Sequence, residues 1–245
     1  MDSYRWNWQV FWNTVDYGGE QYYQWLVSGL LLTIATSLLA WCLALSLGIL
    51  LGVCRTTPLK WVCWIGDIYV EVFRNIPLIV QMFLWFFVLP EILPPSWGNW
   101  LKTGLPLPEF YTAVFSLAFF TAARIAEQVK AGIMSIPLGQ KSAGLAMGFT
   151  LLQVYRYILL PCVLRIMIPP LTSEFINIFK NSSVALTIGL LELMATGQQV
   201  NEYTFQGMEV FSVITLLYVG IALVINAIMA GIEERVKIPG YLEGR

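Results

Sequence analysis

The 245-residue sequence contains no histidine. That removes the commonest general acid and base at neutral pH, every Ser-His or Cys-His nucleophile pair and every histidine-containing metal site. Charge is scarce as well. Only 12% of residues are Asp, Glu, Lys or Arg, where a soluble domain carries about a quarter. Lys+Arg 14 against Asp+Glu 15 leaves no basic excess to meet a nucleic-acid backbone. No G-x-x-x-x-G-K-[ST] run occurs, so the chain has no P-loop with which to hold ATP. The cysteines, Cys42, Cys54, Cys63 and Cys162, lack CxxC spacing and read as free thiols serving as small hydrophobes. Asp2, Arg5, Asp16 and Glu20 stand where a cleavable signal would need a basic start and a short apolar core. The first apolar helix is therefore expected to direct its own insertion.

What the sequence does have is apolar bulk: 58% hydrophobic and 14% aromatic residues, with a mean hydropathy of +0.69. Uncharged stretches locate candidate membrane spans. Gln21 to Cys54 runs 34 residues and Val210 to Ile232 runs 23, each more than the roughly 20 that cross about 30 Å of hydrocarbon. Asn75 to Pro90 and Phe110 to Ala123 are shorter, at 16 and 14 residues, and continue into helical sequence carrying one or two charges. A fifth, about Leu164 to Phe179, contains Arg165 and Glu174; such charges are tolerated where a helix faces a bundle interior. The pattern predicts an all-α integral membrane protein of about five transmembrane helices, with four plus a surface helix as the alternative. The predicted organisation is an outer N-terminal segment 1–24, a transmembrane domain 25–235 with a cytoplasmic loop at about 131–163, and a cytoplasmic tail 236–245.

With five spans, Arg55, Lys60, Lys130, Lys141, Arg156, Arg165, Arg235, Lys237 and Arg245 fall on one side, against Arg5 and Lys102 on the other. That asymmetry predicts the N-terminus outside and the C-terminus in the cytoplasm. Trp6, Trp8, Trp12, Tyr17, Tyr22, Tyr23 and Trp25 crowd the outer end, as an interfacial belt does. The segment from Lys130 to Val163 is long for a plain connection. Its breaks (Ile136-Pro137 with Gly139, the small-residue run Ser142-Ala143-Gly144, then Gly148, then Pro161) predict a short surface helix, capped near Ser142 and ended at Gly148. Such a helix is either a knob for another protein or an ordinary helical loop.

Ser142-Ala143-Gly144, Gly148, Ile158, Leu160 and Pro161 reproduce the spacing of the E-A-A-x3-G-x9-I-x-L-P loop of ATP-binding-cassette importer permeases. Glu71-Val72-Phe73-Arg74-Asn75-Ile76-Pro77-Leu78-Ile79-Val80-Gln81, Ile136-Pro137-Leu138-Gly139-Gln140, Pro169-Pro170-Leu171 and Lys180-Asn181-Ser182-Ser183 resemble further segments of the polar amino acid branch. Over roughly 25–235 the chain resembles that branch, and within it the glutamate/aspartate permeases of Gram-negative bacteria. The resemblance implies a permease subunit, not an enzyme, of an ATP-driven importer that moves acidic amino acids from periplasm to cytoplasm across the bacterial inner membrane. It implies an ATPase dimer that binds the ATP, a periplasmic solute-binding protein and a second, related permease. It gives Ser142, Ala143, Gly144, Gly148 and Pro161 to ATPase coupling, with Ser142 standing where the motif has glutamate. No cofactor or metal is expected on the chain itself. The other class kept open is a self-contained secondary transporter or channel, which calls for an internal inverted repeat; none is visible.

Candidate path residues come from polar groups inside apolar helices. Arg124 lies roughly 20 Å along its helix from Phe110 at about 1.5 Å per residue. Such an arginine faces a cavity or a partner: its fork suits a substrate carboxylate, or it pairs with Glu127 one turn on. Glu127 and Lys130 continue that face and belong to the path or to a cytoplasmic network. Glu174, Asn177 and Asn181 share a helix face that lines the path or bonds to neighbouring helices. Lys180 is expected at the outer end, drawing in an acidic solute or snorkelling to the interface. Glu71 and Arg74 read as a pair ending an amphipathic helix before Pro77 opens the second span. Gln81 is a path-lining candidate, and Val184 to Met194, broken by Gly189, a re-entrant one.

Overall fold

A computed structural model describes residues 4–15 and 19–236. Tyr17 of the aromatic segment, Lys237, Arg245 and the remainder of the tail lie outside the described residues. Among the described residues ten α-helices follow a short 3-10 turn at Trp8–Trp12. They are α1 Tyr22–Cys54, α2 Lys60–Asn75, α3 Leu78–Ile92, α4 Pro95–Gly104, α5 Pro108–Ser135, α6 Leu138–Ala146, α7 Leu151–Ile166, α8 Ile168–Ser182, α9 Leu193–Thr204 and α10 Gly207–Val236. Among the described residues there is no strand; Thr14 and Gln21 form an isolated antiparallel bridge. The protein is all-α. By length and apolar composition α1 and α10 can each cross a membrane alone, and the count reaches five if each bent pair, α2 with α3, α4 with α5 and α7 with α8, makes one span.

The span predicted at about Leu164 to Phe179 is not one straight helix. α7 ends at Ile166 and α8 starts at Ile168 with a bend of 62°, because Pro169 and Pro170 have no N–H to donate to the carbonyls one turn back. Pro161, expected to close a helical run, is instead inside α7. The preceding turn, Tyr155–Leu159, is π-helical, and the Leu160 N–H reaches back five residues to the Tyr155 carbonyl. The widened turn accommodates the pyrrolidine ring that would otherwise strike the previous turn. The same device precedes Pro90, where Leu84–Val88 is π-helical and Leu89 donates to Leu84.

The chain divides into two compact units. The first comprises 1–41, 77–118 and 177–222, the second 42–76, 119–176 and 223–245. In the first, Tyr22, Leu26, Leu193, Val200, Val210 and Ile214 form a buried cluster. Glu192, fully buried, caps α9 by accepting from the backbone N–H groups of Met194 at 3.0 Å and Ala195 at 2.8 Å. The segment Val184 to Met194 begins as a 3-10 turn, Ser183–Ile188, ended by Gly189 at φ +91°, and packs on α3.

In the second unit the end of α1, α2 and the later part of α5 meet at very short range. A Cβ placed on Gly48 would sit 2.6 Å from the Ile125 Cβ, and one on Gly52 2.4 Å from the Val129 Cβ. Glycine at these two positions is what lets the α1 and α5 backbones touch. α2 joins them through Val70 against Ala123 and Ala126 and through the Tyr69 hydroxyl, which donates to the Phe119 carbonyl at 3.0 Å. Lys60, Asp67, Glu71 and Arg74 recur along one stripe of α2, while Trp61, Trp64, Ile65, Ile68 and Val72 are exposed.

α6 and α7 form a helical hairpin whose turn is specified locally. Gly148 at φ +87° ends α6: its N–H bonds to the Leu145 carbonyl and that of Phe149 to the Gly144 carbonyl, at 3.0 and 3.2 Å, the paired bonds of a Schellman motif. Two residues on, Thr150 and Gln153 make a reciprocal capping box that starts α7. Ser142 caps nothing. It lies inside α6, whose N-cap position is Pro137.

Candidate functional site

α5 carries the site. Its tight packing on α1 and α2 fixes one helical face from which Arg124, Glu127 and Gln128 project at i, i+3 and i+4. α8 brings Glu174 to meet them. Arg124 donates from Nε to Glu174 Oε2 at 2.7 Å and from Nη2 to Oε1 at 3.0 Å, a bidentate fork. Gln128 Nε2 adds a third donor to Glu174 Oε1 at 3.2 Å. The Glu174 side chain is 7% exposed and that of Arg124 42%. The carboxylate is thus buried behind its partner while the guanidinium looks into open space, with the Phe120 ring 6.0 Å from its centre. That space is a cavity of about 260 Å³ lined by Arg74, Phe120, Arg124, Glu127, Gln128 and Glu174.

The pairing differs from the one expected within α5. Arg124 does not pair with Glu127. Glu127 accepts instead from Arg55 Nη1 at 2.7 Å, and Arg74 Nη1 approaches the same carboxylate at 3.9 Å. Arg74 therefore turns toward the cavity rather than toward Glu71. Arg55, whose side chain is 7% exposed, also donates from Nε to Asp67 at 2.7 Å, and Lys130 Nζ donates to Asp67 at 3.2 Å. Bridging from Glu127 to Lys130, this network joins the end of α1 to α2 and α5. It gathers three cations (Arg55, Arg74, Lys130) and two carboxylates (Asp67, Glu127), one net positive charge, beside the neutral Arg124–Glu174 pair.

The structure brings two of the predicted path residues, Arg124 and Glu174, onto the cavity wall. Asn177 and Asn181 continue the Glu174 face of α8, half-buried, and Lys180 is exposed on that helix. These three and the buried Gln81 of α3 belong to the first unit and do not line this cavity. Arg74, Phe120 and Gln128 do line it and were not singled out for it in the sequence. Gln128 was discoverable, one turn beyond Arg124 on the same face; Arg74 and Phe120 carry no such signal.

Residues 44–238 match the family described as binding-protein-dependent transport system inner membrane component. The chain belongs to that family. It is 44% identical over 245 residues to the glutamate/aspartate import permease protein GltJ of Escherichia coli (strain K12), covering 99% of this chain and 100% of GltJ. It is 33% identical over 205 residues to the probable glutamine ABC transporter permease protein GlnM of Bacillus subtilis (strain 168), covering 84% and 90% of the two chains. A solved structure titled as an amino acid ABC transporter with histidines superposes with a TM-score of 0.73 at 26% identity, over 87% of this chain and 95% of that one. The inward-facing MetNI methionine ABC transporter shares the fold, with a TM-score of 0.72 at 23% identity over 88% and 97%.

Proposed function

We propose that the chain is the permease subunit of an ATP-driven importer that carries acidic amino acids from periplasm to cytoplasm. The observation that carries this reading is the Arg124–Glu174 pair on the cavity wall. Glu174 occupies Nε and one Nη2 hydrogen, so this pair does not use the Nη1 side of the fork, where an incoming carboxylate meets two parallel donors. One net positive charge in the surrounding cluster matches the single unbalanced negative charge of glutamate or aspartate. Full-length likeness to a glutamate/aspartate permease supports the same choice. The basic residues favour an N-terminus in the periplasm and a C-terminus in the cytoplasm.

Energy comes from a partner ATPase dimer, solute from a periplasmic binding protein, and the pathway is completed by a second, related permease. α6 suits the ATPase contact: it is held by a local turn, and Leu138 at its start and Met147 just past its end are exposed, at 81 and 76%. The assembled complex in vesicles should take up glutamate only when ATP is supplied on the ATPase side. Uptake by this chain alone, driven by an imposed ion gradient, would overturn the reading in favour of a secondary transporter.

Gly148→Leu tests the contact. Nothing lies within 4 Å of a Cβ built there, yet φ is +87°. The substitution therefore meets no obstacle within the chain but strains the turn by about 1–2 kcal/mol and fills space beyond it. The expected result is normal abundance in the membrane with ATP hydrolysis uncoupled from uptake. Normal uptake by the inserted variant would show that α6 does not carry the stroke.

A further inference from the structure

We propose that Tyr155 and Arg55 form a relay that hands displacement of α6 to the cavity wall; the proposal rests on the reading of α6 as the ATPase contact. The hairpin is packed as one body. A Cβ on Gly144 would lie 2.6 Å from Ile158 Cδ1 and 3.1 Å from Val154 Cγ2, so α6 rests directly on α7, and the turn between them is bonded at both ends. One turn into α7, Tyr155 is 6% exposed. Its hydroxyl donates to the Thr56 carbonyl at 2.6 Å, with the Thr56 Oγ1 at 3.2 Å. Thr56 directly follows Arg55, so this bond ties α7 to the backbone one residue beyond Arg55.

The rest of the path is equally constrained. The Arg55 stem passes over Gly66 of α2, where a Cβ would sit 2.6 Å from the Arg55 Cγ. The guanidinium is then clamped at 2.7 Å to Asp67 and at 2.7 Å to Glu127. Glu127 lines the cavity, one turn from Arg124. A shift of α7 therefore moves the backbone at Thr56, and Arg55 must either drag Glu127 or release it. Both outcomes change the charge facing the solute. Tyr155 touches no solute; it is a positioning residue.

Physical connection alone does not establish coupling, so the test is a double-mutant cycle on the full complex of both permeases, ATPase dimer and binding protein in vesicles. Tyr155→Phe keeps the ring and removes the hydroxyl. We expect the ATPase to copurify in the same amount, solute-free hydrolysis to be unchanged, and half-maximal stimulation to need the same concentration of loaded binding protein. Maximal stimulated hydrolysis and uptake should fall about three- to tenfold, the span of one neutral hydrogen bond. Arg55→Gln should lower both, and Tyr155→Phe combined with Arg55→Gln should be no worse than the poorer single variant. An unchanged maximal rate in Tyr155→Phe, or losses that multiply in the combined variant, would overturn the relay. Absence of solute-stimulated hydrolysis in the unaltered complex would instead overturn the importer reading, and the relay with it.

Discussion

Arg124→Gln should depress glutamate and aspartate uptake by the assembled complex about ten- to hundredfold, while glutamine uptake falls less. The figure is the loss of one charge-assisted contact, about 1.5–3 kcal/mol, expressed as affinity. Arg124→Lys should recover part of it, because a point charge does not replace a planar fork. The pair with Glu174 complicates the single variant. Glu174 has a side chain only 7% exposed, so losing Arg124 strands a buried carboxylate and penalises every solute. Arg124→Gln combined with Glu174→Gln removes both charges and leaves two amides able to bond to each other. Thermal stability should return in the combined variant while the preference for acidic solutes stays lost. If glutamate uptake returns together with stability, Arg124 is structural and the carboxylate role is wrong.

Gly48→Leu combined with Gly52→Leu should abolish accumulation of the folded protein. The atoms in the way are Cβ atoms of Ile125 and Val129, with the Ala122 and Ala126 carbonyls 3.0 and 2.9 Å from the new Cβ positions, and none is the far end of a flexible side chain. Each insertion costs about 1–3 kcal/mol when a packed interior must open, and the two act on one helix pair. Separating α1 from α5 would also pull Arg55 from Glu127. Gly220→Leu and Gly231→Leu, in α10, provide the contrast. Nothing lies within 4 Å of a Cβ at either position, and both should accumulate normally. Detergent-solubilised unfolding temperatures check all four changes. Equal stability for the two pairs would mean that the α1–α5 contact does not govern folding.

Much of this architecture is legible in the sequence because apolar runs and turn residues act locally. The 34-residue uncharged run became α1 with its start displaced by one residue, and Gly148 ended α6 through a motif confined to six residues. Pro161 and Ser142 misled for a related reason. A proline signals a break only if the preceding turn is an ordinary α-turn, and a serine caps only if it falls at the helix start; neither condition shows in residue type. The site was half legible. Arg124 and Glu174 announced themselves as charges in apolar helices, but their pairing spans 50 residues. The nearer partner, Glu127 at i+3, proved to be engaged by Arg55, 72 residues away. Spacing along one helix ranks neighbours on that helix and is silent about neighbours on others.

The α6–α7 hairpin separates two kinds of information. Its frame is written in Gly148, Thr150 and Gln153 and in the backbone bonds around them, with Gly144 seating one helix on the other. Its outward face is written in Leu138, Lys141, Ser142 and Met147, none of which those bonds require. On the proposed reading of α6 as the ATPase contact, the face can change residue by residue while the frame stays fixed, and Ser142, where the motif has glutamate, stands on that face. Under that reading the docking face is free to change without the permease having to refold.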